Sequence, residues 1–290
     1  MTGRTARRRV VRISVPGGPA PASTVARADL LAAEEPLGIR VGGEALTMTM
    51  RTPGDDLDLA AGFLVSEGII RSPGDLIQIR ICSGGDCAHD DHGGHEAAGN
   101  VADVTLRPGA AELPRRARNF LTTSACGVCG KASVEELSFR SPYALSADQE
   151  QVSPAVLAEL PDRLRAAQRV FDRTGGLHAA GLFTAGGQLL AVREDVGRHN
   201  AVDKIVGWAL REGRLPLTGC VLLVSGRASF ELVQKAVMAG IPVLAAVSAP
   251  SSLAAELAAD TGLTLVGFLR GSSMNVYSGE QRLMVPATSP

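Results

Sequence analysis

Two cysteines set two residues apart between glycines, Cys126-Gly-Val-Cys129-Gly130, are the side chains of this sequence most ready for chemistry. The glycines leave the sulfurs exposed and the loop adaptable. Lys131 places a cation two positions beyond Cys129, of the kind that lowers a thiol pKa. Spacing alone leaves three chemistries open: a dithiol redox pair, half of a four-ligand zinc site, or a nucleophilic, sulfur-carrying cysteine with a helper thiol. Zinc needs a second pair of ligands. Cys82-x4-Cys87 could supply it, with His89, His92 and His95 just beyond. The alternative is a strand-end core thiol at Cys82 and a solvated histidine loop. Cys220 opens an apolar run and reads as an inert core thiol.

Three further polar constellations stand out. Arg193-Glu-Asp-Val-Gly-Arg-His-Asn-Ala-Val-Asp-Lys204 leaves a predicted strand, turns at Gly197 and enters a predicted helix. Its charged and amide groups converge where a ligand would sit. The competing reading is a set of caps and surface ion pairs, with Asn200 or Asp195 as the cap and Asp203 and Lys204 solvated. In Ser225-Gly-Arg-Ala-Ser-Phe-Glu231, Gly226 allows close backbone approach and the free amides of the following helix suit a phosphate. Arg227 can add a paired contact, and the alternative is a capping box at Ser229. Phe268-Leu-Arg-Gly-Ser-Ser273 follows a third strand and offers Arg270, Gly271 and two hydroxyls. Met274, Val276 and Tyr277 beyond it could be merely an edge strand.

The elements that must position these groups can be read from periodicity. Alternation marks strands at 45–50, 76–81 and 101–106, and Asp55 or Asp56 caps an apolar-faced helix that ends at Gly68. Residues 154–174 have helical spacing. Strands 179–183 and 188–193 flank the hairpin signal Gly186-Gly187. Buried strands at 220–224, 243–247 and 263–268 alternate with helices at 200–210, 229–239 and 251–261. That order predicts an α/β fold with a parallel sheet layer and its ligands at the carboxyl ends of the strands. The predicted division is a flexible basic tail at 1–28, a smaller α/β part at 29–145 carrying the Cys-x-x-Cys loop, and the regular sheet domain at 146–290.

Composition narrows the classes. The 290 residues are 45% hydrophobic and 20% charged, with a net charge of -1 and only 3% aromatics. A nucleic-acid coat needs excess positive charge and stacking surfaces, so it is not expected. No apolar run reaches bilayer length. The N-terminal arginines Arg4, Arg7, Arg8, Arg9 and Arg12 precede no apolar signal core and read as a solvated tail rather than an export signal. The sharper alternative is weak electrostatic docking to a phosphate-rich ligand or an acidic partner. Without an export signal the five cysteines are expected to be reduced.

Taken together, these motifs resemble the FdhD/NarQ family of formate dehydrogenase accessory sulfurtransferases. The matching pieces are 126–130, 193–204, 225–231, 262–268 and Asn275-Val-Tyr277, with 44–70 also similar. The resemblance implies a C-terminal half like the cytidine deaminases. It implies a cytoplasmic homodimer that takes sulfur from a cysteine desulfurase as a cysteine persulfide. That sulfur would pass to the molybdenum bis(molybdopterin guanine dinucleotide) cofactor before it enters the formate dehydrogenase apoenzyme. Cys126 would be the persulfide carrier and Cys129 its partner thiol, with no permanent metal. Phe268, Leu269, Arg270, Gly271, Ser272 and Ser273 match the family's cofactor-binding stretch. Arg227, Arg270 and Arg198 are the expected phosphate forks, and Asn200, Asp203 or Asn275 the expected guanine edge. Residues 84–96 look inserted relative to the family. No His-x-Glu with Pro-Cys-x-x-Cys is present, so deaminase chemistry is not implied. A non-catalytic cofactor chaperone and a zinc or dithiol redox protein are the alternatives.

Overall fold

The computed structural model describes residues 3–17, 21–82, 99–110, 121–122 and 142–284. Three sheets carry its strands. β1 (Thr5–Ser14) and β2 (Ser23–Ala32) form a two-stranded antiparallel ribbon. β3 (Glu35–Val41), β4 (Glu44–Arg51), β5 (Leu76–Cys82), β6 (Val101–Leu106) and β7 (Leu121–Thr122) form a second sheet in the order β5-β6-β3-β4-β7. β8 (His178–Thr184), β9 (Leu189–Asp195), β10 (Cys220–Val224), β11 (Val243–Ala246), β12 (Thr264–Arg270) and β13 (Ser273–Ser278) form the third, in the order β13-β12-β11-β10-β8-β9. In this central sheet β10, β11 and β12 run parallel, while the β8–β9 hairpin and β13 run antiparallel at its two sides.

The helices are α1 (Asp56–Ser66), α2 (Pro154–Ala167), α3 (Arg169–Thr174), α4 (Arg198–Arg211), α5 (Phe230–Met238) and α6 (Ser252–Thr261). Leu157, Leu160 and Leu164 of α2 cover one face of the central sheet with Phe183, Val221, Leu223 and Val243. On the other face one continuous core joins Leu222, Val224 and Leu244 to Leu59 and Leu64 of α1, Val202 and Ile205 of α4, and Leu37 and Ile39 of β3. The layers therefore run helix, sheet, helices, sheet, and the core crosses the division expected near residue 145.

The crossing is tightest between α1 and α4. A Cβ built on Gly62 would lie 1.8 Å from the Asp203 carbonyl oxygen, and one on Gly207 would lie 1.8 Å from that of Asp58. Only hydrogen fits at either place. Gly62→Ala is expected to cost at least about 2 kcal/mol by forcing the helices apart, read as a lower denaturant midpoint.

Residues 5–14 and 23–32 correct the expectation of a flexible tail. An arginine run is compatible with extended backbone, and Val10, Val11, Ile13 and Val25 favour it. Two smaller differences also have local causes. The helix expected over 154–174 breaks at Gln168, where the buried Glu194 carboxylate accepts from the Val170 and Phe171 amides at 2.9 and 2.7 Å. Asp55 occupies the N-cap position of α1, but its side chain makes no cap hydrogen bond. Asp55 sits in a left-handed conformation and pairs with Arg4, and Asp56 pairs with Arg51. Cys82 is in a disulfide whose partner lies outside the described residues, against the expectation of reduced thiols. Among the described residues no helix is long and apolar enough to cross a membrane.

Candidate functional site

The carboxyl ends of β10, β11 and β12 are zipped together beyond the sheet. Val247 N donates to Val224 O at 3.1 Å, Ser248 N to Gly226 O at 3.3 Å, and Phe268 N to Ser248 O at 3.1 Å. Because β8 is antiparallel to β10, its first residue, His178, lies at this same edge. Gly226 packs against it: a Cβ there would sit 3.4 Å from His178 Nδ1 and 4.0 Å from Arg198 Cδ. The edge thus gathers His178, Arg198, His199, Arg227 and the end of β12 at Phe268.

Arg198 opens α4, next to the Gly197 cap. A cation at a helix N-terminus opposes the helix dipole, so helix stability does not account for it. Its Nε is buried without a hydrogen-bond partner among the described residues. A buried guanidinium nitrogen left unsatisfied is costly, and an anion bound at this edge would satisfy it. Arg227 is exposed beside it. Ser229 is the N-cap residue of α5, but its side chain makes no cap hydrogen bond. Its Oγ lies 3.2 Å from His199 Nε2, which is also 2.8 Å from the Glu231 carboxylate. Burial pushes the Glu231 pKa up, but the hydrogen bond and charge of His199, with Lys235 and Arg198, hold it below the usual carboxylate range.

His178 escaped the sequence reading, because its place depends on β8 pairing antiparallel with β10. The Gly175-Gly176 turn just before it was the one available signal. Burial, then the charge of Arg198 and the neighbouring His199 ring, lower its pKa, and Asp195 opposes them. It is therefore neutral at neutral pH. An incoming anion would raise that pKa, so binding takes up a proton. Affinity for sulfate, whose charge is constant over this range, is expected to tighten as the pH falls from 8 to 6. Calorimetry at both pH values checks this, and His178→Gln should flatten the dependence.

In the stretch expected to bind cofactor, Phe268 has a left-handed φ of 52° and is 40% exposed. A bulky residue held there carries strain of about 1–3 kcal/mol, of a kind that clusters at ligand clamps. Gly267 beneath it is in close contact with Pro250 and Tyr277. Leu269 is buried, anchoring the end of β12. Arg270 Nε donates to Val247 O at 2.9 Å, and Gly271 turns the chain with φ 53°. Ser272 and Ser273 are exposed in that turn, and Asn275 is exposed on β13.

The 193–204 segment behaves differently from the sequence reading, and most of its polar groups are consumed inside the fold. Asp195 is buried and accepts from Lys204 Nζ at 2.7 Å, Thr52 N at 3.1 Å, Gly197 N at 2.8 Å and Asn200 Nδ2 at 2.9 Å. Lys204 also donates to Thr52 O at 2.9 Å. Asn200 Nδ2 donates to Met50 O at 2.7 Å, and its Oδ1 accepts from Thr49 Oγ1 at 3.2 Å. Both ends of this amide are engaged within the protein, so the expected guanine contact from Asn200 would have to displace them. Asp203 binds Lys235 at 2.8 Å and Ser66 at 2.7 Å, and Arg193 pairs with Asp58 at 2.8 Å. Asp203 and Lys204 are buried rather than solvated. Arg198 and His199 are the members of the segment that face the edge.

Cys220 is buried and its thiol is pushed up to about 11 by burial, so it is no nucleophile at neutral pH. Cys126, Cys129, Cys87, His89, His92 and His95 lie outside the described residues. Thr122, four positions before Cys126, pairs in β7 with Thr49 of β4, the residue that meets Asn200.

A model of the FdhD/NarQ family matches residues 32–284. The chain belongs to the FdhD/NarQ family. A sulfur carrier protein FdhD from Nocardia farcinica is 58% identical over 98% of this chain and 96% of its own length. One from Streptomyces coelicolor is also 58% identical, over 98% and 97% respectively. Among solved structures, a protein described as a formate dehydrogenase accessory protein from Desulfotalea psychrophila superposes with a TM-score of 0.71. It is 25% identical, with 97% of this chain and 99% of that one covered. The FdhD/NarQ match takes in the Cys-x-x-Cys, the whole carboxyl edge and the α1–α4 crossing, and it begins where the β1–β2 ribbon ends.

Proposed function

We propose that this protein is a sulfurtransferase in the maturation of formate dehydrogenase. Cys126 takes sulfur from a cysteine desulfurase and delivers it to the molybdenum bis(molybdopterin guanine dinucleotide) cofactor. The observation that carries this reading is full-length similarity, at 58% identity, to proteins named as sulfur carriers. In the first step the Cys126 thiolate attacks the outer sulfur of the desulfurase persulfide. The S–S bond breaks, the desulfurase leaves as thiolate, and Cys126 holds the persulfide. In the second, Cys129 attacks the Cys126 sulfur, forming a disulfide and releasing the outer sulfur as hydrosulfide to the cofactor. A cellular dithiol then reduces the disulfide.

The carboxyl edge supports the second half of the reading. A dinucleotide cofactor is polyanionic, and Arg198, Arg227 and Arg270 surround an edge where one buried guanidinium nitrogen has no partner among the described residues. Neutral His178 and the His199–Glu231 pair can hold or move a proton there. The deaminase-like description of the C-terminal half belongs to this proposal too. It rests on the family resemblance, not on any deaminase residue set.

The test is reconstitution. Cysteine desulfurase, cysteine, the wild-type protein and unsulfurated cofactor should restore activity to formate dehydrogenase apoenzyme. Restoration without any desulfurase would instead favour a non-catalytic chaperone.

A further inference from the structure

The β1–β2 ribbon contributes little to the core. Its two strands pair residue for residue from Thr5↔Ala32 to Ser14↔Ser23, a reach of about 30 Å at ~3.4 Å per residue. A two-stranded ribbon alone is marginal in water, and this one is fixed at its base. Ala33 N donates to Arg4 O at 2.9 Å, and Arg4 pairs with Asp55 at 2.6 Å. Asp55 in turn lies 3.7 Å from Arg193 of β9. Ala32 packs at Gly176, two residues before His178. The ribbon is thus rooted beside the carboxyl edge while its outer two thirds stand in solvent.

Its surface is mixed. Six arginines, Arg4, Arg7, Arg8, Arg9, Arg12 and Arg27, face one acidic residue, Asp29, in a chain whose net charge is -1. Cross-strand register puts Arg7 and Arg9 on one face, followed outward by Val11 and Ile13 over Ala26 and Thr24. Val11 and Ile13 are 63% and 62% exposed. A polyphosphate would match the arginines but would leave the valine and isoleucine wet. Residues 3–32 contain no aromatic side chain, so nothing stacks on a base. Cations grading into a β-branched apolar tip fit a protein surface with carboxylates around an apolar spot.

We propose that the ribbon is a docking arm for the acceptor protein, gripping an acidic, partly apolar surface of formate dehydrogenase apoenzyme as the cofactor leaves the neighbouring edge. The identity of the acceptor rests on the function proposed above.

The test uses the full-length protein and purified apoenzyme in biolayer interferometry. Arg7→Ser/Arg8→Ser/Arg9→Ser should weaken binding at least about tenfold, and the wild-type affinity should fall as salt rises from about 50 to about 300 mM. Val11→Ser/Ile13→Ser should weaken it without changing the salt dependence. Sulfur loading of Cys126 and sulfate affinity at the carboxyl edge should stay at wild-type values in both variants. Unchanged apoenzyme affinity in both would overturn the proposal. So would loss of self-association in place of apoenzyme binding, which would make a second copy the occupant. Wild-type protein that loads sulfur yet binds no apoenzyme defeats the arm alone. Binding without sulfur loading defeats the sulfur reading and leaves the arm standing.

Discussion

A Cys126→Ala protein is expected to fold normally and to support no formate dehydrogenase maturation, a loss of at least about a thousandfold. The variant removes the nucleophile itself, and the rest of the site cannot compensate for a bond that never forms. The two described cysteines are poor substitutes. Cys220 is buried with its pKa raised to about 11, and Cys82 is in a disulfide. Cys129→Ala separates the two thiol roles. It should still load sulfur but release it slowly, because the attack that expels the outer sulfur is gone. Formate dehydrogenase activity in the reconstituted system reads both variants. An unchanged denaturant midpoint shows that the loss is chemical rather than structural.

Lys204→Met is expected to destabilise the protein by about 3–5 kcal/mol while leaving Cys126 untouched. Removing one partner of a buried ion pair strands the other charge. Lys204 and Asp195 are both fully buried, and Lys204 also holds the Thr52 carbonyl. Asp195 would keep its bonds from Thr52, Gly197 and Asn200 but lose its counter-charge. The loss falls where β4 and the start of α4 meet, so the candidate edge should loosen with it. Adding Asp195→Asn should recover part of the stability, because it removes the orphaned charge. Chemical denaturation of the single and double variants measures both effects.

Much of the C-terminal half was legible because its signals are local. Val221–Val224 and Val243–Ala246 are continuous apolar runs bounded by turns, and the helices between them end at glycines. A buried parallel layer is the arrangement that satisfies them. Strand ends then place Ser225–Ala228 and Phe268–Ser273 at one edge without further information. The Asp195–Lys204 cluster was visible as polar density but not as structure. Whether those carboxylates and amides meet a ligand or a lysine depends on α1 approaching α4 to glycine contact, which joins residues more than 130 positions apart. The same non-local cause hid His178 and the His199–Glu231 pairing. The ribbon was missed for another reason. Its first strand runs Arg7-Arg-Arg-Val-Val-Arg-Ile13, with arginines and apolar residues on both faces, so no period-two alternation marks it.

The most direct test of the central claim is intact mass of the reduced protein after incubation with an active cysteine desulfurase and cysteine, followed by peptide mapping. The account predicts a gain of about one sulfur atom, located on Cys126 and absent from Cys126→Ala. A protein that gains no sulfur beside a working desulfurase, or gains it with Cys126 replaced, would contradict it.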